Sequence, residues 1–270
     1  MTINYLLLLA TMLYFLLGTA VGSFLDVWAR RILRGESPTG RSKCEDCGHV
    51  LSASDLIPLL SFLFLRGRCR YCRKPLSWQY PIVEVGTGIV FASLAFKFGV
   101  LGINFKLLAF IPLLVAVSAL IAAFITDILE QVIADKFLVV GAGAAFLYRA
   151  TFYLTNFDSN GFNLGLDILG ALGVFALFQL IRWATKKRGM GDGDPPLGFA
   201  AGLLVGFPLV LVQIFLTFTL GGLVAAVLLV LKKKHLKDKV AFGPFLIIAA
   251  FATLLFGEYI LDWYLTLLSF

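Results

Sequence analysis

Four cysteines lie in one polar stretch of the chain, and their spacing is typical of a metal site. Cys44 and Cys47 form one CxxC pair, Cys69 and Cys72 form a second, and 21 residues separate the two pairs. Two such pairs supply four thiolates, the number that a closed tetrahedral zinc site needs. Because a closed site has no open coordination position, we expect its zinc to be structural, stabilising a loop too small for a core of its own.

Three other states of the cysteines stay open at this point: four reduced thiols, a redox pair and an iron-sulfur cluster. Disulfides do not persist in a reducing cytoplasm, and the arginines and lysines near the cysteines favour the thiolate form that binds metal. His49 adjoins the first pair and is either a spare ligand or a neighbour of the site, since four cysteines already complete it.

Carboxylates in otherwise apolar regions form the second candidate site. One group comprises Asp127, Glu130 and Asp135, and the other comprises Asp192 and Asp194. Carboxylates at membrane depth are costly unless they face protein or water, so they are candidates for function. Two carboxylates held close together share a proton, and one then acts as a base on water while the other donates a proton to a scissile carbonyl. This is the chemistry of aspartyl proteases.

A capping role is the alternative for two of these acids. Asp135 and Asp194 both stand where an N-cap is expected, and Asp194 precedes Pro195, a residue favoured in the first helical turn. The glycines beside Asp194 would, however, let the backbone come close to an extended substrate strand.

The composition predicts that helices in a bilayer position these residues. Of the 270 residues 60% are hydrophobic and 14% are charged, and the mean hydropathy is +0.92. These values exclude a disordered chain, a fibrous protein and a secreted disulfide module. Since about 20 apolar residues cross a bilayer, we expect an all-α polytopic membrane protein with about eight transmembrane helices, at 4–27, 81–98, 107–128, 137–153, 164–184, 197–211, 214–231 and 242–267. A tight turn at residues 206–208 divides the run from 197 to 231, and seven helices is the alternative count.

The basic residues predict the topology. The formal net charge is +7, and all but three of the 23 Lys and Arg residues fall on one side of the predicted helices, the exceptions being Lys97, Lys106 and Arg149. The positive-inside rule then places the basic loops in the cytoplasm and both termini outside. The basic clusters fit anionic headgroups of membrane lipid better than nucleic acid. The predicted parts are a retained first transmembrane helix at 1–27, a cytoplasmic four-cysteine loop at 28–80 and a helical bundle at 81–270.

Several motifs, in order along most of the chain, resemble the type IV prepilin peptidases, the GxGD membrane aspartyl proteases that process pilins and pseudopilins. These are the segment 22–31, the two CxxC pairs, the segments 57–61, 66–69 and 80–84, the acids Asp127 and Asp135, the GxGD sequence 191–194, and the segment 242–245.

The resemblance implies a bacterial inner-membrane enzyme that cleaves the basic leader from prepilins and pseudopilins at the cytoplasmic face. It implies that Asp127 and Asp194 are the catalytic pair, with Asp192 as a competitor because residues 189–192 also spell GxGD. It further implies N-methylation of the new N-terminus with S-adenosylmethionine, an activity usually tied to the cysteine loop. Glu84 is the candidate residue for that activity, and the alternative for it is a helix-end acid paired with a loop arginine. The alternative functions are a peptidase without methylation and an assembly factor with a zinc loop.

The chain departs from this family at a few positions. Ala134 stands where a proline is usual, Asp26 where an asparagine is common, and Pro195 and Pro196 where an apolar residue and a lysine usually follow the GxGD aspartate. The missing lysine removes a cation from the neighbourhood of the predicted pair.

Overall fold

The computed structural model describes residues 5–98, 106–155, 164–186, 190–231 and 241–268. Within these ranges the chain is helical, with two isolated β-bridges and no sheet. The helices are α1 Tyr5–Leu33, α2 Leu60–Phe64, α3 Gln79–Phe98, α4 Lys106–Glu130, α5 Asp135–Thr155, α6 Leu164–Ala184, α7 Asp194–Val205, α8 Leu209–Val230 and α9 Gly243–Leu268, with a short 3-10 helix at Ala53–Leu56. The predicted all-α class is confirmed.

Seven helices in the described part of the chain are long and apolar enough to cross a membrane, namely α1, α3, α4, α5, α6, α8 and α9. The chain is therefore a multi-pass membrane protein. The remaining predicted helix is also present, as α7, but it has only 12 residues. The predicted turn at residues 206–208 lies between α7 and α8, so the apolar run does divide there.

The sequence at its two ends explains why α7 is short. Asp194, Pro195 and Pro196 form its first turn, where proline is well accommodated because the missing N–H has no helical partner. At the other end Gly206 has a φ of 78°, in the left-handed region that ends a helix and favours glycine. Ten of the 12 residues are buried, and α7 packs against α4, α5, α6, α8 and α9. It is the central helix of its bundle.

The chain divides into two compact units, residues 1–101 and 102–270. In the first unit α1 packs along α3 through small residues. A methyl group at Gly18 would lie 2.8 Å from Cα of Gly88, and one at Gly22 would lie 2.8 Å from the hydroxyl of Thr87. Such close backbone approach is typical of paired membrane helices. The helix α1 continues to Leu33, beyond the predicted end of the span at residue 27.

The polar loop between α1 and α3 consists of two similar knuckles with α2 between them. Each knuckle is closed by one β-bridge, Lys43 to Val50 in the first and Arg68 to Pro75 in the second. The guanidinium of Arg31 donates to the backbone oxygens of Pro38 and Gly40, and so ties the loop to the end of α1.

In the second unit a buried ion pair holds the turn that follows α7. Arg149 of α5 donates from Nε to Oδ2 of Asp167 in α6 over 2.6 Å, and the Tyr153 hydroxyl donates to the same oxygen over 2.9 Å. The other oxygen, Oδ1, accepts the backbone N–H of Phe207 over 2.8 Å. The carboxylate of Asp167 thus links α5, α6 and the turn after α7.

Candidate active site and metal cluster

Two aspartates from different helices meet in the second unit. Asp127 lies near the end of α4 and Asp194 begins α7, and each is only 5% exposed. The negative charge of Asp194 acts directly on Asp127. The structure therefore brings together one acid from each of the two groups that the sequence singled out.

Two glycine backbones support the pair. The N–H of Gly191 donates to Oδ2 of Asp194 over 2.7 Å, within the segment 190–193 that leads into α7. Gly243, the first residue of α9, lies against the other acid, and its backbone N–H interacts with the Asp127 carboxylate. A side chain at Gly243 would also touch Leu197, one turn after Asp194. The helices α4, α7 and α9 thus converge at this point.

One carboxylate oxygen of the pair has no partner. Oδ2 of Asp127 is buried and forms no hydrogen bond within the described residues. An unpaired buried polar atom costs free energy, commonly about 1–3 kcal/mol, unless a proton or a water molecule satisfies it. This oxygen is therefore suited to hold a shared proton or to bind the attacking water.

The other three candidate acids lie apart from the pair. Glu130 and Asp135 are exposed, at the end of α4 and the start of α5. The Asp192 side chain is 80% exposed and forms an ion pair with Arg182 of α6. The two overlapping GxGD sequences thus end in acids of opposite environment, one buried at Asp194 and one on the surface.

Two glycines explain the close packing on either side of Asp194. A methyl group at Gly193 would lie 2.9 Å from Cβ of Ile133, and one at Gly198 would lie 2.7 Å from the Phe178 ring. Pro195, at a position of departure from the family pattern, is buried in the first turn of α7. Among the described residues, Arg182 is a cation beside the segment that leads into α7, where it pairs with Asp192.

The four cysteines form one cluster in the first unit. Their sulfur atoms all lie within 4.8 Å of one another, and the sulfurs of Cys44 and Cys72 are 3.9 Å apart. The cluster is able to hold a metal ion. Cys44 and Cys69 are buried, and Cys47 and Cys72 lie nearer the surface. The sequence prediction that four thiols from two distant CxxC pairs meet at one point is confirmed.

The two knuckles present their sulfurs through the same backbone turn. In the first, the N–H of Gly48 donates to the carbonyl of Cys44 over 2.9 Å; in the second, the N–H of Arg73 donates to that of Cys69 over 3.0 Å. Gly48 and Arg73 both have positive φ, 69° and 61°. The backbone N–H of Cys72 lowers the pKa of the Cys69 thiol to about 7, with a contribution from Tyr71 and against the opposing effect of burial. A lowered pKa favours the thiolate that binds metal.

His49 is not among the four residues of the cluster. Its ring stacks on that of Tyr71, with the centroids 3.6 Å apart. The side chain thus supports the second knuckle from the first.

Glu84, the candidate for methyl transfer, lies in α3 and is 7% exposed. Its Oε2 accepts the backbone N–H of Leu59 over 2.8 Å, and the Ser23 side chain also hydrogen-bonds to it. The partners are thus neutral groups of the loop and of α1, rather than the loop arginine of the alternative interpretation.

Two residues at these sites have a role that the sequence does not predict. Gly243 lies in the segment 242–245, whose sequence indicates only the family resemblance, and Arg182 is one of the basic residues that predict the topology. The position of Arg182 in the last turn of a helix, shortly before a glycine-rich hairpin with two aspartates, was the available signal for the latter.

An all-helical membrane unit with a buried aspartate pair, next in the chain to a unit with a four-cysteine cluster, defines the class of intramembrane aspartyl peptidases. Two family models match the chain. Residues 16–98 match the bacterial peptidase A24 N-terminal domain, and residues 114–230 match the type IV leader peptidase family. The chain belongs to the type IV prepilin leader peptidase family.

Curated relatives agree with this assignment. The prepilin leader peptidase/N-methyltransferase of Aeromonas hydrophila is 33% identical over 230 residues, covering 84% of this chain and 75% of the relative. The protein of the same name from Bacillus subtilis is 30% identical over 252 residues, covering 93% and 96%. That from Pseudomonas aeruginosa is 28% identical over 279 residues, covering 94% and 93%. No solved structure gives a significant match to this chain.

Proposed function

We propose that this protein is a membrane aspartyl endopeptidase that removes the basic leader peptide from type IV prepilins and pseudopilins. Asp127 and Asp194 are its catalytic residues. The observation that carries this proposal is the buried, interacting pair of carboxylates within the segment that matches the leader peptidase family. Relatives named prepilin leader peptidase/N-methyltransferase supply the substrate class.

The contacts of the two acids support an assignment of which one acts as the general acid and which as the general base. Oδ2 of Asp194 accepts an N–H from Gly191, which favours the charged form of that acid. The Gly243 backbone interacts with the Asp127 carboxylate, but Oδ2 of Asp127 is buried without a partner and lies near the negative charge of Asp194. We place the shared proton on Asp127 in the resting enzyme. Asp194 then takes a proton from water as the water oxygen attacks the scissile carbonyl carbon, and Asp127 gives its proton to the carbonyl oxygen. When the tetrahedral intermediate collapses, the C–N bond breaks, the proton on Asp194 passes to the leaving amine, and a hydroxyl proton of the intermediate returns to Asp127.

The enzyme acts at the cytoplasmic face of the bacterial inner membrane. Asp127 and Asp194 lie at helix ends next to the segments 131–134 and 185–193, on the side that holds most of the basic residues. The helices α7 and α8 reverse at the turn 206–208, so the chain returns to the same side although α7 is short. Both termini lie on the opposite side.

The same chain N-methylates the new N-terminus with S-adenosylmethionine, and zinc occupies the four-cysteine cluster in a structural role. The first statement rests on the names of the relatives, and Glu84 is its candidate residue. The second rests on four sulfurs within 4.8 Å of one another, with no fifth residue in the cluster among the described residues.

Mass spectrometry of a model prepilin, incubated with membranes that contain the enzyme, tests the proposal. Wild type should remove the leader, and it should add a methyl group only when S-adenosylmethionine is present. Asp127→Asn and Asp194→Asn should abolish cleavage. Asp192→Asn is the matched control, since its exposed carboxylate pairs with Arg182, and it should cleave. Cleavage that survives in Asp194→Asn but not in Asp192→Asn would transfer the role to Asp192. If wild type does not cleave the prepilin, the functions that remain are those of a methyltransferase or an assembly factor.

A further inference from the structure

The first unit contains a cavity of about 690 Å³ between α1, α3 and the cysteine loop. Residues of α1 and α3 that line it include Ser23, Arg30, Tyr80 and Glu84. Its size lies in the range of about 300–1,000 Å³ that is usual for sites that hold nucleosides and other drug-sized ligands. All of its lining residues belong to the first unit.

Arg30 places a positive charge at the cavity, and only part of its guanidinium is hydrogen-bonded within the described residues. Its Nε donates to Oδ2 of Asp26 over 2.9 Å, while Oδ1 of Asp26 accepts from Gln79 over 3.1 Å, so that carboxylate is already occupied on both oxygens. The guanidinium lies over the Tyr80 ring, 4.9 Å from its centroid. Nη2 of Arg30 is buried without a hydrogen-bond partner. Nη2 of the guanidinium therefore lacks an acceptor, which a carboxylate in the cavity would supply.

Glu84 offers the complementary negative group. Its described partners are the N–H of Leu59 and the side chain of Ser23, both neutral, and no cation within the described residues forms an ion pair with it. A buried carboxylate with only neutral partners favours a bound cation. Among the described residues, the cavity thus presents a carboxylate without an ion-pair partner and a guanidinium whose Nη2 has no acceptor.

The two groups are spaced for an extended ligand. Ser23 and Arg30 are seven residues apart on α1, about 10 Å along the helix, and Tyr80 and Glu84 are four apart on α3, about 6 Å. Because Ser23 pairs with Glu84 and Arg30 with Tyr80, the negative and positive ends of the cavity lie at different levels. A ligand with an anionic and a cationic group several ångströms apart fits this arrangement.

We infer that this cavity binds the methyl donor, S-adenosylmethionine, with its carboxylate at Arg30 and its cationic groups near Glu84. The inference rests on the proposed N-methyltransferase function. S-adenosylmethionine carries a carboxylate, an ammonium and a sulfonium on a nucleoside, and it matches both the charges and the volume of the cavity. Cys44 and Cys69 also line the cavity, so the four-cysteine cluster forms part of its wall.

Equilibrium binding of radiolabelled S-adenosylhomocysteine and S-adenosylmethionine to the purified, zinc-loaded full chain tests the inference, with and without prepilin. Glu84→Gln keeps an oxygen for the Leu59 N–H but removes the charge, and Arg30→Lys keeps the charge but removes the planar fork. Each should weaken binding of S-adenosylmethionine by about tenfold or more, the effect of one lost charged contact. Glu130→Gln and Arg66→Lys change the same residue types outside the cavity and should bind like wild type. Zinc content and thermal midpoint verify that every variant is folded.

The outcomes separate this inference from the peptidase proposal. Binding in Glu84→Gln and Arg30→Lys equal to that of the controls would overturn the assignment of the cavity. Wild type that cleaves prepilin yet shows no saturable binding under either condition would overturn it too, and would leave the aspartate pair as proposed. Wild type that binds but does not cleave would support the cavity and contradict the peptidase.

Discussion

Gly243 leaves no room for a side chain beside Asp127. A methyl group in place of one of its hydrogens would lie 2.5 Å from Oδ2 of the carboxylate, closer than real Cβ contacts come. The backbone at the start of α9 therefore limits where that carboxylate can lie.

We expect Gly243→Ala to lower peptidase turnover by about 100-fold, because a displacement of the order of 1 Å in a catalytic group has effects of this size. Initial rates of prepilin cleavage over a range of substrate concentrations measure it, and the loss should appear in kcat more than in KM. Gly222→Ala in α8 is the control, since a methyl group there meets nothing within 4 Å. Equal turnover in the two variants would contradict the tight contact.

The ion pair after α7 should matter for stability. The side chains of Asp167 and Arg149 are 0% and 12% exposed, so removal of one leaves the other charge buried without its partner. We expect Asp167→Ala to lower the free energy of unfolding by about 3–5 kcal/mol. Unfolding of the detergent-solubilised protein, followed by circular dichroism, measures this.

Asp192→Ala is the matched control for that measurement, because it removes an exposed carboxylate from an ion pair in the same unit. An exposed pair contributes about 0–1 kcal/mol. Losses of the same size in Asp167→Ala and Asp192→Ala would show that the buried pair does not support the turn.

The cysteine cluster predicts the metal content. Purified wild type should contain about one zinc ion per chain by elemental analysis, and Cys69→Ser should lose it, since a structural site requires all four ligands. Loss of zinc should also expose the loop between α1 and α3 to limited proteolysis. His49→Ala, which alters a ring stacked outside the cluster, should keep its zinc. Unchanged metal in a variant with all four cysteines replaced by alanine would contradict the site.

The contacts of Asp55 with Ser52 and Arg70, in the same loop, should be sensitive to acid. Burial opposes its ionisation, but hydrogen bonds from the hydroxyl and N–H of Ser52, and from Arg70, outweigh that effect and lower the pKa of Asp55 from 3.8 to about 2. Because the pKa is lower in the folded loop than in the unfolded chain, the carboxylate stabilises the fold above about pH 4, and this contribution disappears as the pH falls towards 2.

Hydrogen exchange in the segment 52–71 measures this contribution. Asp55→Asn should exchange faster than wild type at pH 7, and the difference should shrink below about pH 4 once intrinsic rates are corrected. Glu36→Gln, an exposed acid in the same loop, is the control and should match wild type. A difference between Asp55→Asn and wild type that persists undiminished at about pH 2 would refute the assignment.

Much of the fold could be predicted because lipid requires each spanning segment to satisfy its own backbone hydrogen bonds, which apolar runs do as helices. Hydropathy marks the edges of the apolar runs but not the ends of the helices. The helix α1 extends past Val27 to Leu33 because Arg30 pairs with Asp26 one turn earlier and stays helical. Likewise, hydropathy along the apolar run from residue 197 to residue 231 does not show that α7 ends at Val205.

The sequence predicted the four-cysteine cluster more fully than it predicted the surroundings of the aspartate pair. Cysteine spacing was sufficient for the four-thiol cluster, because each CxxC pair forms its turn locally. The GxGD pattern occurs twice in overlap and could not show that Asp194 is buried beside Asp127 while Asp192 faces outward to Arg182. The approach of Gly243 to Asp127 depends on the packing of α9 against α4 and has no local signal in the sequence. That Asp127 and Asp194 are catalytic stays a prediction.

The shortness of α7 has a consequence for where hydrolysis takes place. Twelve residues rise about 18 Å, whereas α8, which leaves the same turn, rises about 33 Å and the hydrocarbon layer is about 30 Å thick. The two ends of α7 therefore cannot both reach the headgroups of a bilayer of that thickness. Either Asp194 or the turn held by Asp167 lies below the surface, or the lipid thins around the bundle. Where Asp194 is the end that lies below the surface, hydrolysis at the predicted catalytic pair requires water to reach that depth of the bilayer.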